Sequence, residues 1–498
     1  MAGCARDQAE PAAADTLVVL LPREPDQLDP RYVGDAYGLK LSRLLHASLT
    51  RIDPLSLTPE PWLAERVELV TPTRYRVVLR ENLRFSDGSS LDADDVVATF
   101  RGLVDPQLKT RYASTYRRIR TVRALSPREV EFELGEPHAT FITDLEIPIL
   151  RAEDAVRPAN PKAKPVGSGP YVLQSADRGE LQLVANRFYS LGQPSFPRLR
   201  FVIVRDDNTR ALRMLAGAGD LALNVIPPLL VPLFSPPRFR VRTAPGVGTT
   251  YVGLNLSHAA LSNRQVRTAL ALAIDREGIV RHKLGGRARL ASSFIVPGHW
   301  AHASDTPGHA HDPARARELL RAAGYDAARP LSLVLRTGSD RFMVSVARAL
   351  VSMWQAVGVE VDVRPSESAT LLADLARGRF EMTLMQLPEV FEPHTLSWFF
   401  ASDRVPEPGV REGGNRWRLR NPELDRLLER GRATVVLEQR IPIYRQVQDL
   451  LAQELPVIPL WHEDVVAITS SRLEHYVVPR DGRFGTLVSA ARGSPRVH

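Results

Sequence analysis

The chain has 498 residues, a length at which a single hydrophobic core no longer grows, so two or more lobes are expected. Its 44% hydrophobic and 24% charged residues are typical of soluble globular proteins and argue against a disordered, collagen-like or membrane-embedded chain. The 65 Lys and Arg residues exceed the 57 Asp and Glu residues, but they are spread along the whole chain without a helix-turn-helix, RNP-type or zinc-finger pattern, so no nucleic-acid partner is expected.

The N-terminus carries the single cysteine, Cys4, and this count excludes an intrachain disulfide and a Cys-based metal site. Residues 2–4 read Ala-Gly-Cys, which resembles the end of a bacterial lipoprotein signal, and a polar, Ala-rich stretch continues to Asp15. Two interpretations are open at this point. Either Cys4 carries lipid and residues 5–15 are a flexible tether, or Cys4 has no role in a short disordered terminus.

The first predicted elements belong to one lobe. Residues 16–21 form a short apolar run that predicts a buried strand, and Pro22 ends it. Helical spacing of leucines follows over residues 38–50. Further along, residues 167–173 turn sharply and enter another strand.

An inserted subdomain is predicted within this lobe and is expected to end near residue 165. From residue 62 to residue 100 the pattern predicts a helix, a strand, a tight turn at Asp87-Gly88 and a second helix that Asp92 begins. Residues 129–134 then alternate as a half-buried strand.

A second α/β lobe is predicted to begin with a strand at residues 251–255 and a helix over residues 263–283. Strand and helix patterns alternate through residues 331–390, as expected for an α/β lobe. The remaining predicted elements are two helices at residues 421–433 and 440–454 and a closing strand at residues 456–460.

Six blocks of this sequence, in order, resemble the family 5 extracellular solute-binding proteins, the dipeptide- and oligopeptide-binding group of bacterial ABC importers. The similarity covers roughly residues 16–490, and the blocks lie at residues 24–30, 79–96, 167–171, 266–276, 316–325 and 421–425. Among them are Pro-x-x-Leu-Asp-Pro, Phe-x-Asp-Gly, a Gly-Ser-Gly-Pro-Tyr turn and Val-Arg-x-Ala-x-x-x-Ala-Ile-Asp-Arg. Their residue types also have purely structural interpretations as turns and helix caps.

The resemblance implies a two-lobed α/β periplasmic-binding-protein fold of class II type with an additional α+β subdomain. Lobe one would comprise residues 16–46, 166–248 and 476–498, the inserted subdomain residues 47–165, and lobe two residues 249–475. The protein would capture peptides or a similar small solute in the interlobe cleft by hinge closure and deliver it to a permease with ATPase subunits. It would be a periplasmic or cell-surface monomer without enzymatic activity or cofactor, and Cys4 would be its lipid anchor.

The resemblance also implies ligand-binding positions. The candidates are Tyr37, Thr249, Thr250, Tyr251, Gln386 and Glu389. Tyr251 has an alternative interpretation, because a tyrosine in an alternating strand can simply be packed in the core. Glu389 occupies the position at which peptide-binding relatives carry an aspartate for the ligand's ammonium group. This sequence departs from their pattern, since Val390 replaces a tyrosine and Gln386 stands where an aromatic residue often lies.

Alternative functions remain open on the sequence alone. His299, His302, His309 and His311 fall in one Gly- and Pro-containing stretch, which allows a role with nickel or another metal chelate. A surface loop without a metal is the preferred interpretation, so no metal site is predicted. A solute-sensing domain is a further alternative. A hydrolase is disfavoured, because the sequence contains no Gly-x-Ser-x-Gly elbow, His-Glu-x-x-His pair or phosphate-binding Gly-rich loop.

Overall fold

The computed structural model describes residues 15–489 except 161–162, 178, 307, 388, 408, 410–412 and 474. The chain divides into two compact units. Unit 1 contains the described residues of Met1–Pro137, Phe141–Ala244 and Val465–His498, and unit 2 contains those of His138–Thr140 and Pro245–Asp464. No helix in the described part of the chain is both long enough and apolar enough to cross a membrane.

The strands, in chain order, are β1 (Thr16–Leu21), β2 (Thr50–Ile52), β3 (Pro59–Pro61), β4 (Ala64–Thr71), β5 (Arg74–Leu79), β6 (Ile119–Ser126), β7 (Glu129–Leu134), β8 (Tyr171–Asp177), β9 (Glu180–Ala185), β10 (Arg198–Ile203), β11 (Leu221–Leu223), β12 (Phe239–Ala244), β13 (Thr249–Leu254), β14 (Ala288–Leu290), β15 (Leu331–Gly338), β16 (Val359–Ser366), β17 (Met382–Leu387), β18 (Val457–Glu463) and β19 (Val465–Ser470).

The α-helices are α1 (Ala36–Leu45), α2 (Ala93–Val104), α3 (Ala113–Tyr116), α4 (Phe141–Asp144), α5 (Ala152–Ala155), α6 (Asp207–Leu215), α7 (Ala259–Ser262), α8 (Arg264–Leu272), α9 (Arg276–Lys283), α10 (Pro313–Ala322), α11 (Arg341–Gln355), α12 (Ser368–Ala376), α13 (Thr395–Phe400), α14 (Pro422–Ala433) and α15 (Leu437–Glu454).

A seven-stranded sheet forms the base of unit 1, in the order β12-β19-β11-β1-β10-β9-β8. β1 is parallel to β10 and β11 and lies inside the sheet, and both of its faces are covered by hydrophobic clusters. Leu17, Val19 and Leu21 enter one hydrophobic cluster, while Val18 and Leu20 enter another. This arrangement explains the uninterrupted apolar run of β1, and the predicted strand is confirmed.

The predicted subdomain of unit 1 is built on a four-stranded antiparallel sheet, β4-β5-β7-β6. Asp92 begins α2 as expected: its Oδ1 accepts a hydrogen bond from Asp94 N at 2.9 Å, and Asp95 Oδ2 accepts one from Asp92 N at 3.0 Å. The predicted turn at Asp87-Gly88 is also present, with Gly88 at a φ of 92°. The helix predicted after residue 62 is wrong, because β4 pairs with β5 along this segment.

Two glycines hold the end of α1 in unit 1. A Cβ atom at Gly167 would lie 2.1 Å from the carbonyl oxygen of Leu45, and one at Gly169 would lie 2.5 Å from the Leu45 carbonyl carbon. Gly169 N donates a hydrogen bond to Leu45 O at 2.9 Å. Only glycine allows the two backbones to approach so closely. Close packing against the backbone at the end of α1 therefore explains the two glycines of the Gly-Ser-Gly block.

Unit 2 contains a six-stranded sheet in the order β14-β18-β13-β17-β15-β16. One face packs on a core that includes Trp354 of α11, whose Nε1 donates to Leu270 O at 3.0 Å. The other face packs on an aromatic cluster that includes Trp417. The predicted helix over residues 263–283 is two helices, α8 and α9, because Asp275 caps a new start by accepting a hydrogen bond from Gly278 N at 2.8 Å.

The chain leaves unit 1 after Ala244 and returns to it at Val465. The family resemblance implies these boundaries at residues 248/249 and 475/476. The second crossing comes earlier because β19 pairs with β11 and β12 in the unit 1 sheet.

Candidate functional site

The candidate solute-binding residues of unit 2 lie at one edge of its sheet, where β13 begins and β17 and β18 end. Because β13 is antiparallel to both neighbours, Thr250 lies opposite Gln386 on one side and Trp461 on the other. Glu463 is the last residue of β18. We call the group Thr249, Thr250, Gln386, His462 and Glu463 the site edge.

Glu463 provides the carboxyl group at the centre of the site edge, and sequence analysis missed it. Its Oε1 accepts hydrogen bonds from Thr250 Oγ1 at 2.9 Å and from Trp461 Nε1 at 3.3 Å, and the side chain of Gln386 also bonds to this carboxylate. Burial raises the pKa of the Glu463 carboxyl, the three donors oppose this shift, and the Asp340 carboxylate adds to it. The available sequence signal was a charged residue at the end of an otherwise apolar strand.

Gln386 is exposed, whereas Thr250 is fully buried. Thr250 therefore contributes to the site edge by its hydrogen bond to Glu463, while the Gln386 amide is accessible to a solute. An amide can both donate and accept hydrogen bonds, which suits the backbone of a peptide.

Thr249 and His462 form a second buried pair at the same edge. Thr249 Oγ1 and His462 Nδ1 lie 2.9 Å apart, and the side chains are 0% and 1% exposed. Burial lowers the pKa of His462 to about 4, so its imidazole is neutral at pH 7. This contact connects the beginning of β13 to the end of β18.

Tyr251 points into the opposite face of the sheet and is 2% exposed. Its ring centroid lies 4.9 Å from that of Phe294 and 5.6 Å from that of Trp417, and its hydroxyl donates to Met385 Sδ at 3.9 Å. Burial raises the pKa of this hydroxyl. The structure thus gives Tyr251 a packing role, which was the alternative interpretation of its strand.

Glu389 and Glu392 follow β17 and have different surroundings. Glu389 is partly exposed. Glu392 pairs with Arg440, and the two side chains are 13% and 4% exposed. The guanidinium of Arg440 also lies over the rings of Trp300 and Tyr444, 5.0 and 5.3 Å from their centroids. Glu392 is therefore a structural carboxylate of the unit 2 interior.

Tyr37 belongs to unit 1, in the first turn of α1. Its backbone N donates to Asp35 Oδ1, the N-cap, at 2.9 Å. The cations of Arg23 and Lys40 lie 5.6 and 5.4 Å from its ring centroid. Burial raises the pKa of its hydroxyl. Tyr37 thus has a partly buried ring with two cations near it.

In the histidine-rich stretch of unit 2, two histidine side chains contact backbone carbonyl oxygens, and a third histidine accepts a hydrogen bond through its own backbone oxygen. His299 Nε2 lies 3.1 Å from Phe391 O, and His302 Nδ1 lies 2.8 Å from Ile295 O. The backbone oxygen of His309 accepts from Arg276 Nη2 at 2.8 Å. Among the described residues, no group of three or more His, Cys, Asp or Glu side chains is arranged to hold a metal ion. Cys4 lies outside the described residues.

Comparison with known proteins assigns the family. The model of the bacterial extracellular solute-binding proteins, family 5 Middle, matches residues 58–405. A relative in Pseudomonas aeruginosa, the probable di/tripeptide-binding protein 5, is 28% identical over 513 residues and 95% of each chain is covered. The chain belongs to the family 5 bacterial extracellular solute-binding proteins, as its sequence blocks predicted.

Solved structures show the same fold. NikA from Brucella suis in complex with Fe(III)-EDTA superposes with a TM-score of 0.86 at 21% identity, covering 95% of this chain and 99% of NikA. The oligopeptide-binding protein AppA from Bacillus subtilis, in complex with a nonapeptide, superposes with a TM-score of 0.80 at 22% identity, covering 95% and 97% of the two chains. The predicted periplasmic-binding-protein fold is confirmed.

Proposed function

We propose that this protein is the solute-binding component of an ABC importer and that its solutes are short peptides, which it delivers to a membrane permease with ATPase subunits. Its membership of the solute-binding family supports this function, as does the similarity to a di/tripeptide-binding protein along nearly the whole chain. No catalytic role is proposed for any residue.

The observation that carries the peptide proposal is the acidic character of the site edge. The Glu463 carboxylate belongs to the edge that presents the Gln386 amide, the Asp340 carboxylate acts on it electrostatically, and Glu389 follows two residues after the end of β17. Such a surface favours a solute with a cationic group beside hydrogen-bonding amides, and a peptide with a free N-terminus has both. In this proposal Glu389 pairs with the ammonium group, and Gln386 bonds to the peptide backbone.

Glu389→Gln is expected to weaken the binding of tri-alanine by about 2–5 kcal/mol, the range for breaking a desolvated charge pair. Glutamine keeps the size of the side chain and removes its charge. Isothermal titration calorimetry with tri-alanine and with N-acetyl-tri-alanine measures the effect. The acetylated peptide has no ammonium group, so the substitution should leave its weaker affinity unchanged.

The matched control is Glu318→Gln, which removes an exposed carboxylate on α10 that pairs with Arg315. It should bind tri-alanine like the wild type. An affinity of the Glu389→Gln protein within a factor of about two of wild type, under half a kcal/mol, would remove Glu389 from the site. Native mass spectrometry of the purified protein would identify any solute that accompanies it.

We also propose that Cys4 is lipidated and anchors the protein at the outer face of a membrane. The Ala-Gly-Cys pattern and membership of an extracellular solute-binding family support this. The protein expressed with its native signal is expected to partition into the detergent phase, and Cys4→Ser should move it to the aqueous phase. A wild-type protein without acyl groups at Cys4 in the mass spectrum would contradict the proposal.

A further inference from the structure

Unit 1 exposes leucine side chains on one of its surfaces. Leu229, Leu212 and Leu233 are 74%, 64% and 55% exposed, and among the large hydrophobic residues that the structure describes only Val156 is also exposed by more than half. A leucine exposed alone needs no explanation, but several on one surface indicate a contact with a partner or a membrane. We call Leu212, Leu229 and Leu233 the leucine patch.

The leucine patch belongs to a single layer of unit 1. Leu212 lies in α6, and Leu229 and Leu233 lie in a short 3-10 helix, Pro228–Leu233. Both helices pack on the same hydrophobic cluster, which covers one face of the seven-stranded sheet. Their buried contributions to this cluster are Ala211, Met214 and Val231. The exposed leucines are therefore on the side of this layer that faces away from the sheet.

The leucine patch extends to the beginning of β12. Arg238, the residue before β12, donates a hydrogen bond from its Nη2 to Leu215 O at the end of α6, 2.6 Å away. Phe234, which directly follows Leu233, packs edge-on against Phe239, the first residue of β12, with ring centroids 5.3 Å apart. Both helices of the patch therefore end next to the beginning of β12.

The beginnings of β1, β11 and β12 lie along one edge of the sheet. Asp220, which precedes β11, accepts a hydrogen bond from Val18 N at 3.0 Å through its Oδ2. Its backbone oxygen accepts one from Ser470 N at 2.9 Å, and Ser470 pairs with Phe239. The strand order here is β12-β19-β11-β1. Because neighbouring strands are about 4.8 Å apart, about 15 Å separate the beginnings of β12 and β1.

Two exposed arginines lie at this end of the leucine patch. Arg213 is in the last turn of α6, and Arg238 reaches the last carbonyl oxygen of that helix. The acidic residue Asp207 is at the opposite end of α6, where it pairs with Arg210. A surface that combines exposed leucines with arginines complements an anionic lipid layer, since apolar groups enter it and guanidinium groups contact its phosphates.

The proposed lipid anchor is a short length of chain away from the same edge. Residues 5–15 separate Cys4 from Thr16, the first residue of β1. Even fully extended, this length of chain spans only about 40 Å. An acyl chain on Cys4 therefore keeps the beginning of β1 within this distance of the membrane. The leucine patch shares that edge, so the anchor raises its effective concentration at the lipid surface.

Resting on the proposed lipid anchor at Cys4, we infer that the leucine patch, together with Arg213 and Arg238, docks unit 1 on an anionic lipid surface. The leucine side chains enter the boundary between the headgroups and the acyl chains, and the two guanidinium groups bind lipid phosphates. The contact holds unit 1 against the membrane in which the acyl chain is inserted.

The experiment measures the binding of the Cys4→Ser protein, which has no acylation site, to vesicles of equal parts phosphatidylcholine and phosphatidylglycerol. Co-sedimentation over a range of lipid concentrations gives the partition coefficient. Replacing the three patch leucines together with serine should lower it by about 10-fold or more, because each leucine loses apolar burial. Arg213→Gln combined with Arg238→Gln should lower it by about 10-fold, and this effect should disappear on vesicles of phosphatidylcholine alone.

The matched control replaces three leucines of the inserted subdomain of unit 1 with serine. Leu55, Leu69 and Leu125 are 49%, 44% and 42% exposed, and the triple variant should bind vesicles like the Cys4→Ser protein. The patch leucines are exposed as well, so their replacement should leave the melting temperature unchanged. A loss of vesicle binding in the patch variant then comes from the surface and not from unfolding.

A fluorescent label tests directly whether the patch enters the lipid. Cys4 is the single cysteine of the chain, so Cys4→Ser combined with Leu229→Cys offers one thiol for a dye that responds to polarity. Its emission should shift to shorter wavelengths when the vesicles are added. The same dye on Leu55→Cys, in the same background, should show no shift.

The inference is overturned if the Cys4→Ser protein does not bind the vesicles, or if binding survives in the variant that lacks the patch leucines. It is also overturned if sedimentation velocity shows a dimer that the leucine substitutions dissociate, because the patch then faces a second copy of the chain. These results leave the proposed function standing, since acylation of Cys4 is read from the mass spectrum and peptide binding from calorimetry.

Discussion

Glu392→Gln is expected to lower the free energy of unfolding of unit 2 by about 3–5 kcal/mol, the range for removing one partner of a buried ion pair. The Arg440 side chain is 4% exposed and remains charged after the substitution. Its Nε still donates a hydrogen bond to the Gly431 carbonyl oxygen at 3.1 Å, and its guanidinium still lies over the Trp300 ring. Neither contact neutralises the charge. The loss in the free energy of unfolding therefore comes mainly from the buried Arg440 guanidinium, which no longer has a carboxylate partner.

Urea unfolding followed by tryptophan fluorescence measures this loss. The control is Glu68→Gln, which breaks the Arg66–Glu68 pair, whose side chains are 51% and 41% exposed, and should leave the unfolding curve close to that of the wild type. Replacing Arg440 with Met in the Glu392→Gln background should recover part of the loss, because no unpaired charge remains. A loss below about 1 kcal/mol for Glu392→Gln alone would show that water or another group neutralises Arg440.

The stability of both units is expected to fall as the pH decreases from 6.5 towards 4, because each unit buries a neutral histidine. Burial lowers the pKa of His46 in unit 1 and of His462 in unit 2 from 6.5 to about 4. Between these values the unfolded chain binds a proton that the folded chain does not bind, so protonation favours unfolding. Each histidine should contribute a loss of about 1.4 kcal/mol per pH unit, with full stability retained above pH 6.5.

The measurement is the free energy of unfolding from urea titrations at several pH values between 7.5 and 4. His46→Gln and His462→Gln should each reduce the slope for their own unit, because glutamine does not titrate. His282→Gln, which replaces an exposed histidine of α9, should retain the wild-type slope. An unchanged slope in the two buried variants would assign the acid sensitivity to other groups.

The sequence predicted the elements that depend on neighbouring residues. The buried strand β1, the turn at Gly88 and the Asp92 cap of α2 each depend on a few neighbouring residues: an apolar run, a residue that tolerates positive φ and a short carboxylate before a helix. The family blocks consist largely of such positions, which is why they identified the family and its fold.

The sequence did not predict which distant segments pair as strands. A helix is predicted after residue 62, yet residues 64–71 form a strand because β5 lies beside them. Similarly, β19 joins the unit 1 sheet through partners more than two hundred residues earlier in the chain, which moves the unit boundary. Strand formation depends on a neighbour that local propensity does not contain.

For the candidate site, too, the sequence indicated some polar residues, and only the structure showed their partners. The sequence by itself pointed to Glu389 and Gln386 as positions for a solute. Only the tertiary structure placed Glu463 against Thr250 and paired Glu392 with Arg440. Whether a charged side chain is available to a ligand depends on which groups the fold brings within hydrogen-bonding distance of it, and the residue type does not record those groups.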